Sequence, residues 1–158
     1  MLDPRDATPS LAPVTAPPAE PAIATQTPVL VAPGPSLVEQ HFQRGTQLLR
    51  DGKSAEAAAE LGLAADTSVS DPLAVDARYF QAVALLKANR PADAEHAILA
   101  FLDHAPTSPR RGRASVMLGR LLATHDQGSA RAWFQAALSD ADPTVVAAAT
   151  AGLATLAH

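Results

Sequence analysis

The most reactive side chains of this chain are scattered, not grouped as catalysis or metal binding requires. The closest approach to a group is Glu95-His96 followed by Asp103-His104. Eight residues separate the two histidines, about two helical turns, which is too far for one metal ion. The chain has no cysteine, no glycine-rich phosphate loop and no nucleophile in a recognisable motif. We therefore expect no enzyme, no metal site and no cofactor.

A run of arginines is the other candidate for chemistry. Residues 107–131 contain five arginines and one acid, namely Arg110, Arg111, Arg113, Arg120 and Arg131 against Asp126. Arginine offers a planar fork of donors that fits a carboxylate or a phosphate, so one interpretation is a site for an acidic peptide or a phosphate. The other interpretation is a solvated face balanced by acids such as Asp103 and Asp140. The sequence leaves both open.

The elements that carry these residues read as helices. The stretch Leu73–Pro109 shows apolar residues at helical spacing in two segments. Asp71-Pro72 suits the start of the first segment, because aspartate caps helices and proline fits the first turn. Asn89 tolerates positive φ and can end that helix, while Pro91 can begin the next. The pattern predicts an αα-hairpin, and since neither helix can bury its apolar stripe alone, further copies are expected.

The chain contains two further copies of this hairpin. In the second helices, a small residue recurs at Ala57, Ala94 and Ala130, and a large one follows at Leu61, Ile98 and Phe134. In the first helices the aligned small residues are Gly45, Ala82 and Gly119. The offset is 37 residues between the first two units and 36 or 37 to the third. This shared order predicts three nested hairpins.

The pattern resembles the tetratricopeptide repeat family, whose units carry a small residue in the first helix and Ala, a large apolar residue and Ala in the second. The resemblance covers about residues 37–143. It implies an all-α fold, a right-handed αα-hairpin solenoid of three repeats plus a C-terminal capping helix. Arg78 and Gln81 depart from the family pattern, because apolar residues are usual at both positions. The turn inside the third repeat is one residue short.

Some segments resemble a bacterial cell-envelope subgroup of the family. They are Asp76–Ala82, Ala100–Leu102 and Pro106–Pro109. The subgroup includes the Tol-Pal cell-division coordinator and the outer-membrane assembly lipoprotein. The resemblance implies a role in a bacterial envelope assembly.

Two regions divide the chain. Residues 1–36 hold nine of the fourteen prolines and no helical period, so we expect a disordered Pro/Ala-rich tether. Residues 37–158 form the repeat domain, with repeats at about 37–70, 72–107 and 109–141 and a capping helix at about 143–157.

The resemblance also implies where a partner binds, because the first helices of such repeats line a concave surface. The family's groove positions select a partner-binding set in this chain: Phe42, Arg50, Asp76, Tyr79, Lys87, Arg113, Val116 and Arg120. Phe42 and Tyr79 would be exposed aromatic anchors beside charged side chains. The alternative is that both rings pack into the helix layer, and the sequence does not decide between the two.

These patterns predict a non-catalytic scaffold or adaptor that binds a peptide or protein segment. The net charge of −4 argues against a nucleic-acid partner. The most apolar stretch of the tail, Ala22–Val31, is interrupted by Gln26 and Pro28, so we expect no direct membrane insertion. A second hypothesis is a self-associating structural component that uses the apolar last helix, which makes a homo-oligomer possible.

The expected location depends on what precedes Met1. The first residues are acidic and lack the basic start and apolar run of a signal peptide. The sequence as it stands therefore predicts a cytoplasmic protein. A signal or anchor upstream would instead place the domain in the periplasm or the cell envelope.

Overall fold

The computed structural model describes residues 34–68 and 71–157, and within these ranges the backbone forms seven helices and no strand. In chain order they are α1 Leu37–Arg50, α2 Ser54–Thr67, α3 Pro72–Lys87, α4 Pro91–His104, α5 Arg111–Leu122, α6 Gln127–Ala137 and α7 Pro143–Thr155. The predicted all-α fold is confirmed. The predicted disordered tether, residues 1–36, lies outside the described residues except for its last three.

Local chemistry sets several helix boundaries. At the starts of α1, α3, α6 and α7, a side-chain oxygen of the capping residue accepts a hydrogen bond from a backbone N–H group of the helix. The capping residues are, in that order, Ser36, Asp71, Asp126 and Asp142. These bonds satisfy donors that have no partner inside the helix. In the turns within the first two hairpins, Gly52 and Asn89 take positive φ values of 76° and 57°. The predicted Asp71 cap and Asn89 stop are both confirmed.

The helices pair into three hairpins that stack on one another. The pairs are α1 with α2, α3 with α4, and α5 with α6, while α7 packs against α5 and α6. Stacking follows because α3 lies against α1 and α2, and α5 lies against α4. One buried cluster, rich in alanine, joins repeats 1 and 2. A second, containing Phe101 and Phe134, joins repeats 2 and 3 to α7. The architecture is the predicted helical-repeat solenoid.

Within the first and third hairpins, the two helices approach closely because glycine faces a large apolar residue. A methyl group added at Gly45 would lie 2.6 Å from Leu61 Cγ. One added at Gly119 would lie 2.8 Å from Phe134 Cε1. Carbon atoms in real side chains stay farther apart than this, so neither site accepts even alanine without movement of its neighbour. The small and large positions that align in the sequence are therefore contact partners in the fold.

Phe134 makes the same kind of contact with the terminal helix. A methyl group added at Gly152 in α7 would overlap the Phe134 ring. The ring is 1% exposed and packs against Gly119 on α5 and Gly152 on α7. One aromatic side chain thus positions α7 relative to the third hairpin.

Arg78, one of the two departures from the family pattern, is buried despite its charge. Its Nη2 donates a hydrogen bond of 2.8 Å to the carbonyl oxygen of Ala65. This carbonyl lies near the C-terminal end of α2, where helix carbonyls carry partial negative charge. Its Nη1 is buried and has no hydrogen-bond partner among the described residues. The arginine therefore joins α2 to α3 by a polar contact.

Replacing Gly119 by alanine should lower the free energy of unfolding by about 1–3 kcal/mol, because the added methyl group would lie 2.8 Å from the buried Phe134 ring and force the ring or the helix to move. Gly128→Ala is the matched control, since a methyl group there meets only Asp126 Oδ1 at 3.5 Å. That control should be neutral or slightly stabilising, because alanine forms helix better than glycine. Urea denaturation followed by circular dichroism measures both variants. Equal effects would contradict the packing account.

Candidate functional site

A groove lies between α5 and α7 and consists of two adjoining cavities, which we call the α5–α7 groove. Their volumes are about 220 Å³ and about 300 Å³. Arg120 and Ala148 line both, so the two cavities adjoin at these residues. The other lining residues of the first cavity are Arg113, Val116, Met117, Thr144 and Val145. Those of the second are Ala123, Phe134, Ala151, Gly152 and Thr155.

The groove follows from the packing of the third hairpin. Phe134 separates α5 from α7 and lines the second cavity. The α7 side is formed by small residues such as Ala148, Ala151 and Gly152, which leave the space above the ring unfilled. The result is an apolar groove with arginine side chains from α5 along one wall.

The two arginines of the groove differ in their electrostatic state. Arg113 Nη2 donates a 2.7 Å hydrogen bond to Asp142 Oδ2, and this contact raises the pKa of Arg113. Hydrogen bonds from the Thr144 hydroxyl and then from Arg113 lower the pKa of Asp142 to about 2. Arg113 is therefore neutralised by Asp142. Arg120 is exposed, and no carboxylate of the described residues lies within 4 Å of its guanidinium.

Most of the predicted arginine cluster has structural partners. Arg110 Nε lies 3.0 Å from Asp76 Oδ1, Arg111 Nη1 donates to the Leu102 carbonyl oxygen at 2.7 Å, and Arg131 Nη2 donates to the Leu156 carbonyl oxygen at 3.4 Å. The interpretation as a face balanced by acids therefore holds for Arg110 and Arg113. The carboxylates in direct contact are Asp76 and Asp142. Asp140, one of the acids named for that role, adds to the effect of Asp142 a charge attraction that raises the pKa of Arg113.

The aromatic anchors need a correction. Tyr79 is 8% exposed and packs against Phe101 with ring centroids 5.6 Å apart. The Arg110 guanidinium covers Tyr79 and Phe80, at 5.2 Å and 4.8 Å from the ring centroids. Phe42 is half-buried and lies edge-on to Phe80 at 5.8 Å. The alternative of packing into the helix layer therefore applies to Tyr79 fully and to Phe42 in part.

Two of the eight predicted partner-binding residues, Tyr79 and Val116, are buried, whereas the other six are half-buried or exposed. Val116 is 5% exposed and belongs to the second buried cluster, although its side chain reaches the edge of the groove. The next residue, Met117, is half-buried and lines the groove more openly. Phe80 has the same relation to the buried Tyr79. Met117 is therefore more accessible than Val116, whereas the half-buried Phe80 is covered by the Arg110 guanidinium.

The structure brings three of the eight predicted partner-binding residues into one site, namely Arg113, Val116 and Arg120. Asp76 is engaged by Arg110. Arg50 is exposed and donates to Gln47 Oε1 within α1. Lys87 lines a separate cavity with Lys53 at the turn between α1 and α2. These residues and the two aromatics do not share a surface with the α5–α7 groove.

Sequence reasoning missed the second wall of the groove. Thr144, Val145 and Ala148 belong to α7, which the sequence presented as a cap or as a surface for self-association, not as a groove wall. The sequence did contain one signal, namely Gly152, which contacts Phe134 in the structure as Gly119 does. Within the last helix, a glycine among alanines marks a close approach to a large side chain.

The site offers recognition chemistry, with a cation and apolar surface but no arrangement of nucleophile and base. Among the described residues no group of three or more His, Cys, Asp or Glu side chains could hold a metal ion. In the same part of the chain, no helix has the length and hydropathy needed to span a membrane.

Acid should weaken the contact between α7 and α5. The Asp142 carboxylate has a pKa of about 2, against an ordinary value of 3.8. Its stabilising effect is therefore present above the ordinary value and is lost as the pH falls toward 2. Asp142→Asn keeps a good cap but loses the charge that attracts Arg113. The advantage in unfolding free energy of the wild type over Asp142→Asn should shrink between about pH 5 and about pH 2.5.

Denaturant titrations followed by Trp133 fluorescence measure this difference. A gap between the two proteins that stays constant over the whole pH range would contradict the assigned role of Asp142.

Comparison with known proteins places this geometry in a family. The sequence profile described as Tetratricopeptide repeat matches residues 42–109 and 81–145, which together cover well over half of the chain. A search of curated proteins gave no match. Such repeats commonly mediate protein–protein interactions, and members of the family are generally non-catalytic. The matched range runs from within α1 to the first turn of α7, and the chain belongs to the tetratricopeptide repeat family.

Proposed function

We propose that this protein is a non-catalytic adaptor that docks an extended segment of a partner protein in the α5–α7 groove. The observation that carries the proposal is the position of Arg120, which lines both cavities of the groove. A bound segment would therefore pass this guanidinium wherever it lies along the groove.

The chemistry of the groove favours an acidic segment with small apolar side chains. Arg113 is neutralised by Asp142, so Arg120 supplies the net charge of the groove. A hydrogen bond to a charged group contributes roughly 1.5–3 kcal/mol, more than a neutral one. Ala148 and Ala151 provide shallow apolar walls that suit alanine, valine or proline better than large rings. We expect one carboxylate flanked by small apolar residues.

A bacterial cell-envelope assembly is the setting that we propose for this adaptor. Support comes from the resemblance of segments Asp76–Ala82 and Pro106–Pro109 to envelope members of the family. Fractionation of cells that express the complete reading frame tests the setting. Recovery of the protein only in the cytosolic fraction would contradict it.

Self-association is a second candidate function, favoured by one observation. The thirteen residues of α7 include no charged side chain, although several alanines of this terminal helix are exposed. Ends of solenoids usually carry polar outer faces. Light scattering at high concentration tests this candidate, and a monomer throughout would exclude it.

Photo-crosslinking tests the docking site directly. The chain has no cysteine, so a single introduced cysteine can carry a benzophenone label without background. Ala151 is exposed and lines the groove, whereas Ala132 is exposed on α6 and lies outside it. In extract from the source cells, the label on Ala151→Cys should capture a protein that the label on Ala132→Cys does not. Mass spectrometry of the captured peptide should show an acidic residue among small apolar ones.

The charge of Arg120 provides the specificity control. Adding Arg120→Glu to the labelled Ala151→Cys protein should reduce capture at least tenfold, because an attraction becomes a repulsion. Lys53→Glu makes a charge reversal of the same size on an exposed residue of the α1–α2 turn and should leave capture unchanged. Equal capture by both labelled positions, or insensitivity to Arg120→Glu, would argue against docking in this groove.

A further inference from the structure

A second groove lies between α2 and α4, on the layer of second helices, and has a cavity volume of about 550 Å³. We call it the α2–α4 groove. Its walls are formed mainly by small residues, namely Ala58, Ala59, Gly62, Ala97 and Ala100. Gln81 and Leu85 of α3 form its floor, and Leu63, Asp66, Arg90, Asp93 and His96 also line it. Volumes of this size are typical of ligand sites.

Two residues, Gln81 and Gly62, leave space in this groove that larger apolar side chains would fill. Gln81 occupies the position at which repeat 3 has Leu118, 37 residues later, and Leu118 is fully buried. Gly62 faces Gln81, and a methyl group added there would lie 2.8 Å from Gln81 Nε2. A leucine in place of Gln81 and a side chain in place of Gly62 would fill the space. Both residues therefore help to keep the groove open.

The Gln81 amide has unused hydrogen-bonding capacity. The side chain is half-buried in the groove floor, and no described residue hydrogen-bonds to its amide. A primary amide is both donor and acceptor, which matches one peptide unit of an extended backbone. A polar group at the bottom of an alanine-lined groove is the arrangement that fixes the orientation of a bound ligand.

The rim of the groove specifies the rest of the occupant. Leu63 is 52% exposed and offers apolar surface at the edge. Asp93 is paired with Arg90 at 2.7 Å, whereas Asp66 is exposed and has no cation of the described residues within 4 Å. The unbalanced charge of the rim is therefore negative. It complements a basic side chain.

We infer that the α2–α4 groove is a second docking site, and that it takes an extended protein segment carrying apolar side chains and one basic residue. The backbone of the segment pairs with the Gln81 amide, its apolar side chains contact Leu63 and the alanine walls, and its cation lies near Asp66. This site shares no lining residue with the α5–α7 groove. The chain would then join two segments of opposite charge.

Two variants change the groove without threatening the fold. Gly62→Leu places a side chain in it, and the Cβ atom of that side chain would meet only the end of the flexible Gln81 side chain. Gln81→Leu removes the amide and installs the residue that repeat 3 buries at this position. Gly62→Leu replaces a poor helix former by a good one, and Gln81→Leu replaces a polar side chain by an apolar one that can pack. Both proteins should therefore be at least as stable as the wild type. Gly128→Leu, on the exposed side of α6, is the matched control.

The test uses the full chain and a phage-displayed library of random peptides. Selected peptides should fall into two classes, one acidic and one basic with apolar residues. For the synthetic basic class, Gly62→Leu should weaken binding more than about tenfold and Gln81→Leu about tenfold, as expected for loss of a buried hydrogen bond. Asp66→Asn should weaken it several-fold at low salt, with less effect at high salt. Gly128→Leu should have no effect.

Ala148→Glu, which fills the α5–α7 groove and repels an acidic segment, separates this inference from the proposed function. It should abolish binding of the acidic class and leave the basic class unchanged. If the library yields no peptide whose affinity falls in Gly62→Leu, the inference is overturned, whether or not the acidic class binds. If the acidic class alone fails to appear, the proposed function is contradicted and the α2–α4 docking site stands.

Discussion

The packing of Phe134 against two glycines, Gly119 and Gly152, is the contact on which the rest of this structure depends. Gly119 and Gly152 bring the backbones of α5 and α7 against the same three atoms of one buried ring, Cδ1, Cε1 and Cζ of Phe134. Any larger residue at either position would have to displace the ring or the helix. The same device joins α1 to α2, where Gly45 accepts Leu61. Stacked hairpins with an open groove follow from small residues placed opposite large ones.

The grooves form where side chains do not fill the space between neighbouring helices. At the end of the stack, Phe134 separates α5 from α7, and alanines leave the space between them open. Between the first two repeats, Gly62 and Gln81 replace bulky packing and open the second groove. Charge distinguishes the two grooves. Arg120 lines one and Asp66 the other, and neither has an oppositely charged partner within 4 Å among the described residues. Small side chains in the alanine-rich helices thus leave both grooves open.

Ion pairs hold the stack in register on the side of the first helices. Arg110 links the start of α5 to Asp76 on α3 and covers the rings of Tyr79 and Phe80. Arg113 links α5 to Asp142 at the start of α7. Most of the arginine-rich segment therefore serves to connect successive helices. Arg120 differs from these two because no carboxylate of the described residues reaches it.

Local signals in the sequence were sufficient for the helices and their turns. Asp71 and Asn89 act through their own backbone neighbours, so their roles can be read without knowing the fold. The repeat was readable as well, because Leu61 and Phe134 recur at nearly constant spacing.

The groove could be predicted only in part. Tyr79 and Phe80 are adjacent, and which of them is buried depends on how α3 rotates against α4 and α5. The partners of Arg110 and Arg113 lie 34 and 29 residues away, and sequence proximity gives no information about such contacts. The role of α7 was missed because its wall of alanines has no distinctive pattern apart from Gly152.

A double-mutant cycle between Gly152 and Phe134 tests the central claim most directly. Gly152→Ala should destabilise the wild type by about 1–3 kcal/mol, because its methyl group overlaps the ring. In a protein that already carries Phe134→Leu, Gly152→Ala should lower the free energy of unfolding little or should raise it. The difference between the two effects is the coupling energy, which we expect to be about 1 kcal/mol or more. Additive effects, with a coupling below about 0.5 kcal/mol, would mean that the ring does not position α7 and would contradict the account.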